Sequence, residues 1–297
     1  MPALFPHPQA LSLPNVPSPE PPTMTTNSKI AWTHHTVNPW WGCHPVSPAC
    51  DHCYARALAR RSAFAKTAFD GGPYNLRPAK AIAELAKIER LGAKTETRQR
   101  VFVESMGDFF EDLPALAEPR RLFLQVASEE CGWIDFLFLT KRPENITRLF
   151  KQAGFSLLPP SWWLGITAEN QEQYNQRWPL LDAALDGFYD AFSTRLPYPL
   201  GFVSIEPMLG PIDLHAEAAG ERSLPDWIIV GCEKIGNRPG RPMEAEWVDT
   251  ITRHCVMNGI PLFIKQTVTD DGKHVTDDPD LFHSLYPRFR QFPSSLS

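Results

Sequence analysis

The sequence predicts an α/β fold built on parallel strands, and three observations carry that reading. Six short runs, 101–104, 134–139, 162–166, 201–205, 227–230 and 261–264, are apolar on both faces, as strands covered on both sides must be. Helical patterns fall between them. Such βα alternation over this length gives a parallel sheet, either open and doubly wound or rolled into a barrel. Most runs also end in polar groups, among them Glu104-Ser105-Met106-Gly107-Asp108, Thr140-Lys141-Arg142, Thr167-Ala168-Glu169-Asn170, Ser204-Ile205-Glu206, Cys232-Glu233 and Lys265-Gln266. In βα barrels the C-terminal face of the strands carries the active site.

In chain order, residues 1–27 are crowded with proline and almost uncharged. That composition cannot offset its ordering entropy, so a disordered tail is expected. A strand is expected near 30–37, followed by a loop holding Cys43, Cys50 and Cys53. A helix then runs through Tyr54, Ala55, Leu58 and Ala59, with Asp51 as its N-cap. The span 78–91 opens on Pro78, sets Ile82, Leu85 and Leu91 on one side, and is expected to stop at Gly92. Shorter helices are expected after Pro143 and after Asn170. Trp247, Val248, Ile251 and Cys255 recur at helical spacing in 244–258, which ends at Gly259. Residues 28–269 thus read as one barrel domain, and the Pro-punctuated 270–297 as an irregular extension.

With 297 residues, 43% of them hydrophobic, the chain can bury a substantial core. Its net charge of -5 argues against coating nucleic acid by bulk electrostatics, though a local basic groove remains open to it. The start lacks a charged segment followed by an apolar run, and no apolar stretch is long enough to cross a bilayer. A cytoplasmic location is expected. In that reducing compartment, clustered cysteines read as metal-binding before they read as disulfides.

The cysteines are spaced Cys-x6-Cys-x2-Cys, within Trp40-Trp41-Gly42-Cys43 and Cys50-Asp51-His52-Cys53-Tyr54-Ala55. Three thiolates leave one iron of a cubane cluster open, and an open coordination site is what catalysis needs. A structural zinc ion with His44 or His52 as fourth ligand is the alternative. Unligated thiols are the third. Cys131 and Cys255 read as core residues, and Cys232 as either core or site.

This loop, with Trp32-Thr33, Asn38-Pro39, Leu139-Thr140-Lys141-Arg142-Pro143, Leu164-Gly165-Ile166-Thr167-Ala168-Glu169-Asn170, Ser204-Ile205-Glu206-Pro207 and Phe263-Ile264-Lys265-Gln266, resembles the radical S-adenosylmethionine (SAM) enzymes. More closely, it resembles a phage-associated family of uncharacterised proteins described by its three-cysteine motif. The resemblance implies a partial (β/α) barrel in which Cys43, Cys50 and Cys53 ligate a [4Fe-4S] cluster and SAM chelates the open iron. It implies reductive cleavage of SAM to a 5'-deoxyadenosyl radical, acting on an unknown substrate that includes nucleic acid among its candidates, with an unidentified protein as reductant. The usual Cys-x3-Cys-x2-Cys spacing is lengthened here. Glu104-Ser105-Met106-Gly107-Asp108 stands where a Gly-Gly-Glu usually holds the SAM amino group, so Ser105 or Asp108 is expected to substitute. Lys141 or Arg142 is expected to pair with the SAM carboxylate, and Glu169, Asn170 or Glu206 with the ribose hydroxyls. The rival classes are a zinc- or cluster-stabilised module that binds nucleic acid or protein without catalysis, and a cluster enzyme that does not use SAM.

Overall fold

The computed structural model of the protein describes residues 28–188, 199–215, 224–236, 238–268, 275–276 and 289–293. The expected tail, 1–27, and most of 270–297 lie outside the described residues. Seven strands form the main sheet: β1 (His35–Val37), β2 (Gln99–Val103), β3 (Ile134–Thr140), β4 (Trp162–Thr167), β5 (Gly201–Ile205), β6 (Trp227–Gly231) and β7 (Leu262–Val268). They lie side by side in chain order and all are parallel. A two-residue strand, β8 (Val275–Thr276), pairs antiparallel with the end of β7.

The sheet is rolled. Trp32, just ahead of the edge strand β1, meets Trp227 of β6 with ring centroids 6.3 Å apart. In a flat sheet five inter-strand steps would separate them by roughly 24 Å. Side chains alternating along the strands therefore form two cores. Trp32, Phe102, Leu137, Trp163, Phe202, Trp227, Ile229 and Phe263 fill the concave side. The intervening residues, such as Val101, Val103, Phe136, Phe138, Leu164, Ile166 and Val203, pack outward against the helices. Gly165 admits the Phe202 ring, since a Cβ there would come within 2.4 Å of it. The architecture is the expected α/β partial barrel.

The helices are α1 (Tyr54–Arg60), α2 (Pro78–Thr95), α3 (Pro114–Glu129), α4 (Ile146–Gln152), α5 (Gln171–Gly187) and α6 (Ala245–Asn258). Cys53, not Asp51, is the N-cap of α1. The α2 helix runs through Gly92 and stops at Glu96, which takes a left-handed φ of 50°. Gly92 is instead a packing residue, because a Cβ there would sit 2.6 Å from the Cβ of Trp133. The α3 helix had no counterpart in the sequence reading, and it carries Pro119 in its interior. Gly259 ends α6 in the left-handed conformation, as its position predicts. Of the C-terminal extension, Gln291 bonds Leu262 and accepts from the Trp227 indole, and Phe292 packs on Trp227 and Phe263. Among the described residues no helix is long and apolar enough to cross a membrane.

Candidate functional site

The cysteine loop leaves β1 and crosses the C-terminal mouth of the barrel. Asn38 fixes its start, its Oδ1 accepting from Ser105 Oγ at 3.1 Å and from the Met106 amide at 3.0 Å. Gly42 then bridges Gly107 in parallel and donates its amide to Met106 O. Both positions need glycine. Gly42 has φ +141° and lies flat under the Tyr74 ring, while a Cβ on Gly107 would fall 2.8 Å from Gly42 O. Cys50 closes a 3-10 turn, Pro48–Cys50, and Cys53 opens α1. All three cysteines are free and partly exposed. Trp41, Cys43 and Cys53 pack on a small apolar cluster that includes Ala55, Ala59 and Met106.

Side chains from four strand ends grip this loop. After β2, Glu111 Oε1 accepts from the His44 amide at 3.2 Å and from His44 Nδ1 at 2.7 Å, and Glu111 Oε2 accepts from the Tyr74 hydroxyl at 2.9 Å. After β3, Arg142 donates to His44 O at 2.7 Å and to Asp108 Oδ2 at 3.0 Å, with its Nη1 3.8 Å from Cys43 Sγ. After β4, the fully buried Glu169 accepts from the Ala49 amide at 3.1 Å and from Arg177 at 2.9 Å. After β6, Glu233 accepts from His52 Nδ1 and from Arg241, which also donates to Pro48 O and Asp51. A loop would otherwise leave these backbone groups to water; here they are satisfied by protein.

The expected ligand-binding residues divide accordingly. Asp108 is saturated, with Oδ1 accepting from Thr140 Oγ1 and the Phe110 amide and Oδ2 from the Lys141 amide and Arg142. Arg142 and Glu169 hold the cysteine loop. Asn170 caps α5 by accepting from the Gln173 amide at 3.0 Å. Ser105 donates to Asn38, and its carbonyl accepts from the Tyr54 hydroxyl at 2.8 Å. Glu206 Oε1 pairs with Lys265 and takes a 3.4 Å bond from Gln266. Lys141 is half-buried and its ammonium pairs with no carboxylate among the described residues. Tyr74, Glu111, Arg177 and Arg241 carry the loop without having been singled out as its holders. No linear signal marks them, since Glu111 lies 67 residues from His44 and Arg241 lies 193 from Pro48.

Charge in the mouth follows from this packing. Burial pushes the Cys43 thiol up, Asp108 and Glu111 add to the push, and Arg142 opposes it. Burial would raise Glu233 as well, but Arg241 and His52 hold it down to about 2. Burial also works against ionised Glu169, and is outweighed by the Arg177 charge and the Ala49 amide. Glu104 is the opposite case. It is buried, takes φ +69°, and burial holds it well above the usual carboxylate range, with only the Trp40 amide bonded to Oε2. Its Oε1 has no hydrogen-bond partner among the described residues.

Three free thiols on one loop are the donor type that both an iron–sulfur cluster and zinc take. Among the described residues no three His, Cys, Asp or Glu side chains converge on one point.

No curated protein matches the sequence. Two solved structures resemble the fold, both mutants of spore photoproduct lyase. One has TM-score 0.44 and 11% identity, the other TM-score 0.43 and 12% identity, and each likeness covers 88% of this chain and 73% of that one. The model of one family, described as "Protein of unknown function (DUF5131)", matches residues 27–278, and the chain belongs to that family.

Proposed function

We propose that the protein is a radical SAM-type enzyme whose [4Fe-4S] cluster is held by Cys43, Cys50 and Cys53. The observation that carries this reading is the three-thiol loop fixed across a parallel barrel's mouth by buried partners that leave the thiols free. Held by those three cysteines and with SAM bound, such a cluster would supply the electron for reductive cleavage of the sulfonium C–S bond, to methionine and a 5'-deoxyadenosyl radical. The chain's own part is to bind, orient and exclude water. Arg142 stands against Cys43 and opposes the burial that pushes its thiol up. Lys141, with no carboxylate partner among the described residues, is the cation left to receive the SAM carboxylate. Glu206 Oε2 remains to accept from ribose hydroxyls, whereas Asp108, Glu169 and Asn170 act by holding the loop and α5 in place. The reductant is a separate protein, and a phage setting fits the three-cysteine resemblance.

The test is anaerobic reconstitution followed by iron and sulfide analysis and assay of 5'-deoxyadenosine under dithionite. Brown, SAM-cleaving protein is expected, and Cys50→Ala should lose both properties. Colourless protein carrying one zinc ion would sink the reading.

That zinc outcome has one observation in its favour. Both His44 and His52 are tied through Nδ1 to buried carboxylates, Glu111 and Glu233, which leaves Nε2 outward. Zinc-ligating histidines are oriented this way. In a zinc-stabilised binding module, His44→Ala or His52→Ala would abolish metal binding; a cluster on three cysteines would survive both changes.

A further inference from the structure

The excursion between Cys53 and Lys80 is charged unlike the rest of the chain. It carries six basic residues (Arg56, Arg60, Arg61, Lys66, Arg77, Lys80) and one acidic residue, Asp70, in a protein of net charge -5. Asp70 is spent on Arg56 and Arg60. Arg61, Lys66 and Arg77 form no salt bridge among the described residues. Apolar side chains lie open on the same excursion, with Phe64 55% and Tyr54 51% exposed.

The geometry is that of a stacking platform. The Arg77 guanidinium lies over both the Trp41 ring, at 5.5 Å, and the Phe64 ring, at 5.2 Å. Beside it, at the open edge of β1, is a cleft of about 240 Å³ lined by Thr36, Asn38, Trp41, Arg77, Lys80 and Glu84. It is smaller than the roughly 300–1,000 Å³ of drug-sized sites, and its inventory is specific: one indole wall, the Arg77 guanidinium, a Lys80–Glu84 ion pair, an amide and a hydroxyl. Flat heterocycles stack on the first, phosphates pair with the second, and base edges exchange hydrogen bonds with the others. The cleft adjoins the site, because Trp41 is two residues from Cys43 and Asn38 fixes Ser105 and Met106.

We infer that this surface binds single-stranded nucleic acid, one base entering the Trp41 cleft and a neighbouring base stacking on Phe64, with phosphates on Arg61, Lys66 and Arg77. A single strand is required because paired bases cannot reach a ring face. The inference deepens the function proposed above by naming the substrate class for the same mouth, and it rests on that reading only where it calls the strand a substrate.

Fluorescence anisotropy with labelled single-stranded DNA, single-stranded RNA and a duplex tests it, in buffer without SAM or reductant. Single strands should bind better than duplex. For three phosphate contacts the slope of log K against log salt should be about -2, and Lys66→Ala should reduce it to about -1.4. Phe64→Ala should weaken binding about tenfold, as should the pair Arg61→Glu with Lys66→Glu. Met257→Glu, on exposed α6, is the control and should leave binding unchanged; circular dichroism confirms that each variant folds. Unaltered binding in Phe64→Ala and in the charge reversals would overturn the proposal. So would failure to bind any strand while an acidic flavodoxin binds and is lost in those variants, since the patch would then dock a protein. Bound strands without SAM cleavage sink the cluster reading alone; SAM cleavage without strand binding sinks this one alone.

Discussion

Arg142 shows how one side chain sets the candidate site. Its guanidinium is nearly buried and joins the Cys43–His44 segment to Asp108 and Glu111, two carboxylates that are themselves buried. A planar fork with five donors makes these contacts together, which an ammonium cannot do. Removing one partner of a buried ion pair leaves the other charge without compensation, at a cost of about 3–5 kcal/mol. Arg142→Met should therefore lose about that much in urea unfolding, and Arg142→Lys a smaller share, because it keeps the charge and loses the fork. An Arg142→Met variant within about 1 kcal/mol of the parent would show that the guanidinium does not hold the mouth together. The pair Lys141-Arg142 was visible at a strand end in the sequence, but which of the two turns inward was not. That choice is made by Asp108 and Glu111, more than thirty residues earlier in the chain.

Elements whose signal is local were legible. β5 begins and ends where its apolar run does, at Gly201 and Ile205, and the other central strands differ by a few residues at their ends. α3 was not legible, because Pro114 and Pro119 interrupt any helical pattern there; the helix tolerates Pro119 while burying Leu116, Phe123 and Leu124. Gly92 misled for a related reason. Glycine near the end of a periodic run is ordinarily a stop signal, yet here α2 needs it to pass close to Trp133. A Gly-to-Ala change inside an exposed helix gains about 1 kcal/mol in propensity. Gly92→Ala should instead destabilise by about 1–3 kcal/mol, since the added methyl overpacks a fixed contact. A raised melting temperature for that variant would show that α2 shifts freely against Trp133.

At the scale of the whole molecule, the barrel mouth is assembled by contacts between segments far apart in sequence, which is why its location was legible and its wiring was not. Polar strand ends announced the face that the cysteine loop crosses. The sequence did not show that Arg142, Glu169 and Glu233 are consumed in holding the cysteine loop, nor that Lys141 pairs with no carboxylate among the described residues. The wiring has a testable consequence for metal removal. Structural zinc supplies folding energy outright, so a chelator unfolds what the ion holds. Here the His44 amide and carbonyl, the Ala49 amide and the Pro48 carbonyl already bond Glu111, Arg142, Glu169 and Arg241. The metal-free protein should therefore keep its loop. Hydrogen exchange is expected to find the His44 and Ala49 amides protected after chelation and in the Cys50→Ala variant alike. Glu169→Ala should release Ala49 in both forms, because its carboxylate, and not the metal, is that amide's acceptor. If chelation alone freed both amides, the loop would owe its fold to the ion, and the side-chain clamp would be a consequence of metal binding instead of its preparation.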